Sequence, residues 1–448
     1  MHVLPQLRRL EELFPDELAV VGVHAGKFTA ERVTANIRQA VLRLEVHHPV
    51  VNDRYFRVWR AYGVQAWPTV ALIDPDGNYV GSQPGEITAE AFEPIIGRMA
   101  QQFRALGRLA TSPLPCRLEA ASEPARPLAF PGKVHASGDG RLFIADTNHN
   151  RVLVVSLSPD RTAGRVEQIV GSGRAALADG DFAAASFNHP QGLYLVGDTL
   201  YVADAENHAI RAVDLARRRV QTIAGTGRQA RRLGLLGRGE AVALNSPWDL
   251  LLRDGRLYIA MAGEHQLWAL DLATGEVRPY VGSGREDLVD GGPRQAALAQ
   301  PTGLAGNGSR LFFADSEASA TRYVDLAAGG QVRTVVGRGL FDFGDVDGVG
   351  EEVRLQHAYG LAWQEGALYV ADTYNEKIKV VDPATRAART LLGTGAAGFA
   401  DGDVPQFWEP EGLAVADGRL YVADTNNHAI RVADLRGGRV TTLALAGL

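Results

Sequence analysis

Apolar and polar positions follow two rhythms along this chain of 448 residues. From about residue 130 onward, apolar residues come in short runs such as Leu200-Tyr201-Val202-Ala203-Asp204 and Leu420-Tyr421-Val422-Ala423-Asp424. β-Branched and aromatic residues fill these runs and Gly, Asp and Asn separate them, which predicts short strands joined by turns. Before residue 106 helical spacing dominates, as at Val3, Leu4, Leu7, Leu10, Leu13 and Phe14. The same stretch predicts a strand over 19–24, a helix over 29–44, a strand and turn over 48–53 and a helix over 54–62 stopped by Gly63. Two strands joined by Asp76-Gly77 follow within 67–80, and a last helix spans 88–106.

The β-type runs repeat. Leu142-Phe143-Ile144-Ala145-Asp146 recurs with its alanine at Ala203, Ala260, Ala314, Ala371 and Ala423, at intervals of 52 to 58 residues. A Pro-x-Gly-Leu start precedes several copies, as at Pro190 to Leu193, and a Gly-x-Gly close follows, as at Gly225 to Gly227. Each period holds four strand signals. One such sheet cannot bury both faces alone, so the units are expected to pack radially as six blades, with the Leu-Tyr-Val-Ala run as the inner strand. Asn207-His208-Ala209-Ile210-Arg211 and Asn427-His428-Ala429-Ile430-Arg431 carry a resemblance to the NHL repeat family. That resemblance implies a mainly β fold, a six-bladed NHL-type β-propeller over 130–448, and a binding role rather than catalysis. The third copy departs from the pattern with Met261 in place of the aspartate and Gln266-Leu267-Trp268 in the third strand, and the fourth has Ala320-Thr321-Arg322.

Residues 1–106 resemble an α/β thioredoxin-like domain of the redoxin type, on their element order and on Trp67-Pro68-Thr69 before a strand. The resemblance implies a cis-proline loop at Trp67, Pro68 and Thr69, facing a Cys-x-x-Cys pair that this stretch lacks. It also implies a central strand between 19–24 and 70–73, which is missing, so the domain is expected to be incomplete. Two explanations stand side by side: a degenerate module, or a Cys-x-x-Cys upstream of Met1. Residues 107–129, with Pro113, Pro115, Pro124 and Pro127, read as a linker, part of which is a candidate outer strand closing the ring.

Composition narrows the function classes. Charged residues at 22% and hydrophobic residues at 46% are those of an ordinary globular protein. A net charge of −6 disfavours a nucleic-acid partner. No apolar run reaches membrane-spanning length. Cys116 is the sole cysteine, and the first residues show no secretory signal, so a cytoplasmic location is expected.

The candidate sites each have a bland alternative. The Ala-Asp aspartates (Asp146, Asp204, Asp315, Asp372 and Asp424) read as acceptors at strand ends. The Asp-Gly steps at Asp179, Asp290, Asp347 and Asp401 read as turns. Asp342, Asp345, Asp347 and Glu351 are dense enough to suggest calcium, without EF-hand spacing. His149, His189, His208, His265, His357 and His428 recur at turns, where zinc chemistry would need matched channel positions. The Gly-x-Gly closes lack the strand–loop–helix frame of a phosphate cradle. Arg228, Arg231, Arg232 and Arg238 share one long loop, a basic patch on the propeller face. The sequence therefore predicts no catalytic residue, no cofactor and no metal. It predicts a non-catalytic scaffold whose partner is a protein, with a thiol–disulfide oxidoreductase as the alternative.

Overall fold

The computed structural model describes residues 3–110, 112, 116–327 and 330–448. Residues Met1–Ala125 and Arg126–Leu448 form two compact units. The expected linker over 107–129 thus ends inside the second unit. Its last residues are bound to that unit's first sheet, because Ala129 N–H donates to Asp146 and Pro127 O accepts from Arg151. Pro113 and Pro115 lie outside the described residues.

In the front unit the elements run α1 (Val3–Leu13), β1 (Gly22–His24), α2 (Thr34–Arg43), β2 (Val50–Asn52), α3 (Arg57–Ala61), β3 (Thr69–Ile73), β4 (Tyr79–Pro84) and α4 (Ala89–Ala105). The helix expected over 29–44 begins as a separate 3-10 turn at Ala30–Arg32, with extended Val33 breaking the two apart. β1 pairs in parallel with β2, and β3 pairs antiparallel with β4, as two separate sheets. Leu10, Ile87, Ala89 and Ile96 form the core, with Phe14, Val70, Leu72 and Phe92 packed against it.

The second unit is a six-bladed β-propeller. In blade 2 the strands Pro190–Val196, Thr199–Asp204, Ala209–Asp214 and Arg219–Ala224 pair antiparallel in chain order. Blades 3 to 6 begin at Pro247, Pro301, Leu361 and Pro410 and repeat this order, and blade 1 begins at Val134. The Leu-Tyr-Val-Ala runs are buried as expected, yet they are the second strands. The innermost strands are the Pro-x-Gly-Leu segments, whose glycines let neighbouring blades touch. At Gly360 an added Cβ would lie 1.9 Å from Glu411 O, and at Gly412 it would lie 2.6 Å from Lys133 Cα. Bulkier residues sit one layer out for want of that room.

A C-terminal strand, Ala444–Ala446, closes the ring by pairing in parallel with Ala163–Arg165 on the outer edge of blade 1. None of the described residues of 107–129 joins that edge. Elsewhere the incoming loop covers the outer strand: Gly180 pairs with Val220, Gly237 with Val277 and Gly348 with Ala388. A covered edge offers fewer free backbone groups to recruit another chain.

Candidate functional site

Antiparallel pairing sorts the connections by face. The first-to-second and third-to-outer turns are tight and share one face. The 3-10 turns after the Ala-Asp step and the long inter-blade loops share the other, hereafter the loop face. Most candidate residues lie on it.

The aspartates are consumed in structure. Asp204 accepts the Asn188 N–H at 2.7 Å and pairs with Arg211 at 2.7 Å, and the same guanidinium reaches Asp179 at 2.8 Å. Asp179 in turn accepts the Thr222 N–H and hydroxyl. The clamp recurs as Asp315–Arg322–Asp290 in blade 4 and Asp424–Arg431–Asp401 in blade 6, with all three arginines fully buried. Burial pushes Asp204 and Asp424 up to about 6, with their arginine and amide donors opposing it.

In blade 5 Lys379 replaces the arginine, 2.8 Å from Asp345, 2.7 Å from Asp347 and 3.8 Å from Asp372. Two of the four calcium candidates, Asp345 and Asp347, thus bind a lysine ammonium. Asp342 stands 4.0 Å from Arg354, while Glu351 is exposed at the blade's outer edge. Burial pushes Asp372 up to about 7 because the more distant lysine compensates it less.

Blade 3 lacks the whole clamp: Met261, Trp268, Leu236 and Pro279 stand where blade 2 has Asp204, Arg211, Asp179 and Thr222. In blade 1 Asp146 is met by His149 at 2.8 Å and Arg151 at 2.7 Å. A cavity of about 290 Å³ adjoins them, lined by Asn148, His149, Arg151, Ile169, Gly171, Ser172 and Gly173. Its cations are already engaged with Asp146.

The histidines form part of a hydrogen-bond ring that the sequence reading missed. The residue before each third strand has a left-handed backbone, with φ of 48 to 55° at Asn150, His208, His265, Ser319, Glu376 and His428. Each accepts a backbone N–H from the start of the next blade. His189 N–H donates to Asn150 (2.9 Å), Ser246 to His208 (3.0 Å), Gln300 to His265 (3.3 Å), His357 to Ser319 (3.1 Å) and Phe130 to His428 (3.1 Å), and Glu409 donates to Glu376. The Phe130–His428 bond joins first blade to last. A repeating acceptor (Asn, His, Ser or Glu) five residues after the strand alanine was the signal available in the sequence. Among the described residues no group of three or more His, Cys, Asp or Glu side chains is placed to hold a metal ion.

The channel is spanned by Lys133, the residue just before the inner strand of blade 1, which is 3% exposed. Its ammonium donates to Thr302 O at 2.8 Å and Tyr359 O at 3.3 Å, and lies 3.4 Å from Asp249. The Gly-x-Gly closes end outer strands: at Gly225 (φ 100°) an added Cβ would stand 2.3 Å from His208 O. That is packing, with no helix N-terminus to hold phosphate.

The remaining candidates are exposed. Arg228, Arg231, Arg232 and Arg238 are all exposed on the loop entering blade 3, together with Leu233 (56% exposed) and Leu236 (71%). In the front unit the Trp67–Pro68 bond is cis. Trp67 donates to Ala25 O at 2.7 Å and packs against Trp59 with ring centroids 4.5 Å apart. Thr69 donates to Ala66 O at 2.7 Å. Cys116 is exposed and free.

The NHL repeat model matches residues 187–212 and 407–433. Each stretch holds one clamp aspartate, one ring histidine and one buried arginine: Asp204, His208 and Arg211, then Asp424, His428 and Arg431. Over 473 residues the chain is 42% identical to Protein SUPPRESSOR OF QUENCHING 1, chloroplastic, of Arabidopsis thaliana, covering 100% of this chain and 44% of that protein. It is 38% identical over 486 residues to human NHL repeat-containing protein 2, covering 99% of this chain and 66% of that one. The chain is an NHL-repeat β-propeller protein. This NHL protein spans 44% of the first relative's length and 66% of the second's. Among solved structures it is similar to one described as a nidogen/laminin complex, at a TM-score of 0.46 and 14% identity, over 68% of this chain and 92% of that one. No helix among the described residues is long and apolar enough to cross a membrane.

Proposed function

We propose that this NHL protein is a non-catalytic scaffold whose propeller binds a protein through its loop face, in the cytoplasm, with residues 1–106 as a second, thioredoxin-like module. One observation carries the reading. The repeated Asp, Arg and His side chains are spent on clamps and inter-blade caps, whereas the loop face exposes apolar side chains at Leu236, Phe341 (71%) and Phe399 (58%). Rigid scaffolds that present variable loops are binding surfaces. Affinity capture from the source cell compares wild type with Leu236→Ser/Phe341→Ser/Phe399→Ser and with Arg217→Ser/Arg253→Ser on the tight-turn face. The loop-face variant is expected to lose proteins that the other retains. Equal capture by all three overturns the reading.

A second reading, a thiol–disulfide oxidoreductase with its Cys-x-x-Cys upstream of Met1, draws support from the front unit. There, among the described residues, β1 pairs only with β2 and β3 only with β4, the arrangement an intervening strand in a thioredoxin-like sheet would complete. Insulin reduction with dithiothreitol tests it. The 448-residue chain is expected to be inert, because a single exposed thiol cannot form and resolve a mixed disulfide. Activity gained on extending the reading frame to an upstream Cys-x-x-Cys would replace the scaffold reading.

A further inference from the structure

The loop entering blade 3 breaks the rule of its own repeat. In blades 2, 4, 5 and 6 the residue before the edge-pairing glycine is an aspartate (Asp179, Asp290, Asp347 or Asp401) clamped to a buried cation. In blade 3 that residue is Leu236, before Gly237 paired to Val277, and it is 71% exposed. The clamp was replaced there by apolar Met261 and Trp268 inside, which accounts for losing the aspartate. It does not account for placing a leucine in water. Burying a leucine side chain is favourable, so an exposed one beside an exposed Leu233 is an unspent contact. Leu235 between them packs into the blade core and anchors the loop.

Charge identifies the occupant. Arg228, Arg232 and Arg238 are exposed around the two leucines, and Glu240 is the only acidic residue within 228–241. The loops entering blades 5 and 6 carry Asp345, Asp347, Glu351, Asp401 and Asp403 instead, so the basic character is confined to one loop. A flat anionic membrane would meet the whole face, acidic loops included. A nucleic-acid backbone offers nothing to two exposed leucines. A narrow polypeptide segment meets this loop alone, and guanidinium groups pair with carboxylates in bidentate geometry.

We propose that the 228–238 loop docks a partner-protein segment in which carboxylates alternate with apolar side chains, the leucines seating the apolar groups and the arginines pairing the acids. This rests on the scaffold reading above and names the chemistry of its partner.

The test selects a phage-displayed random dodecapeptide library on the full chain, then measures the selected peptides by fluorescence anisotropy. The expected result is enrichment of Asp and Glu interleaved with Leu and Phe. Affinity should fall about tenfold or more in both Arg228→Ser/Arg232→Ser/Arg238→Ser and Leu233→Ser/Leu236→Ser, and weaken as salt rises. All substituted residues are exposed, and unchanged melting of both variants checks that the fold is kept. Peptides whose binding ignores both variants overturn the proposal. If those peptides are lost instead in Phe341→Ser/Phe399→Ser, the scaffold reading survives while this one falls. No selectable peptide overturns it too, as does tighter loop-dependent binding of single-stranded RNA or of phosphatidylserine vesicles.

Discussion

At the scale of single residues, the buried guanidiniums of blades 2, 4 and 6 set the largest local stakes. Removing Arg211 would strand the fully buried Asp204 carboxylate, and breaking such a pair costs about 3–5 kcal/mol. Arg211→Ala is therefore expected to lower stability by that amount in denaturant titration. Asp204→Met/Arg211→Leu/Asp179→Leu is expected to cost less than the single change, because it leaves no orphaned charge, as blade 3 does with Met261 and Trp268. A triple variant less stable than Arg211→Ala would contradict this. His428 brings a pH dependence of definite sign. Burial pushes its imidazole down to about 4, against about 6.5 unfolded. Between those values the unfolded chain binds more protons. The bond from Phe130 therefore contributes fully above about pH 6.5 and is lost as pH falls through about 4. The raised clamp carboxylates Asp204 and Asp424 act oppositely, so the total slope mixes both signs. The readable quantity is the difference from His428→Asn, which keeps an acceptor as Asn150 does in blade 1 and should lose stability less steeply on acidification. Identical pH profiles would refute a role for His428 titration.

At the scale of elements, each outer edge is covered by a short segment, and blade 1 depends on residues 444–446 for this. Deleting residues 444–448 removes the parallel pairing with Ala163–Arg165 and uncovers that edge. The expected outcome is loss of about 1–3 kcal/mol from unmet backbone groups together with concentration-dependent association through the exposed strand. Light scattering and thermal melting measure these separately. A deletion variant that matches the full chain in both light scattering and melting temperature would show the strand to be dispensable. The six-fold acceptor ring belongs to this scale as well. Its members differ chemically, so no single residue type marked it in the sequence. What they share is a backbone φ near +50° and a neighbour in the next blade, both of which follow from the ring geometry.

At the scale of the whole molecule, the two units differ in how well their sheets are covered. β1 and β2 are three residues each and leave Val23 and Val51 43% exposed. Isolated two-stranded sheets are marginal in water. A deficit of about 2 kcal/mol in the front unit would lower its melting temperature by roughly 10 °C, so calorimetry should show it unfolding before the propeller, and protease should cut first within 107–125. One cooperative transition would refute this.

The repeat period, the alternation of apolar residues and the turn glycines determined six blades of β-structure, because strand burial has a period of two and radial packing requires matched units. The same patterns placed the aspartates at strand ends. They did not determine which run would be innermost, since Leu-Tyr-Val-Ala and Pro-x-Gly-Leu are both buried and only the approach of neighbouring backbones at Gly360 and Gly412 separates them. Nor did they reveal Lys133 across the channel, whose partners Asp249, Thr302 and Tyr359 lie more than a hundred residues away. Leu236 shows the same division. Its sequence neighbours make it one leucine among several, and only the register of Gly237 against Val277 puts it in the place of a clamp aspartate. Local pattern is fixed by each residue's own chemistry, whereas a long-range partner is fixed by where the ring closes.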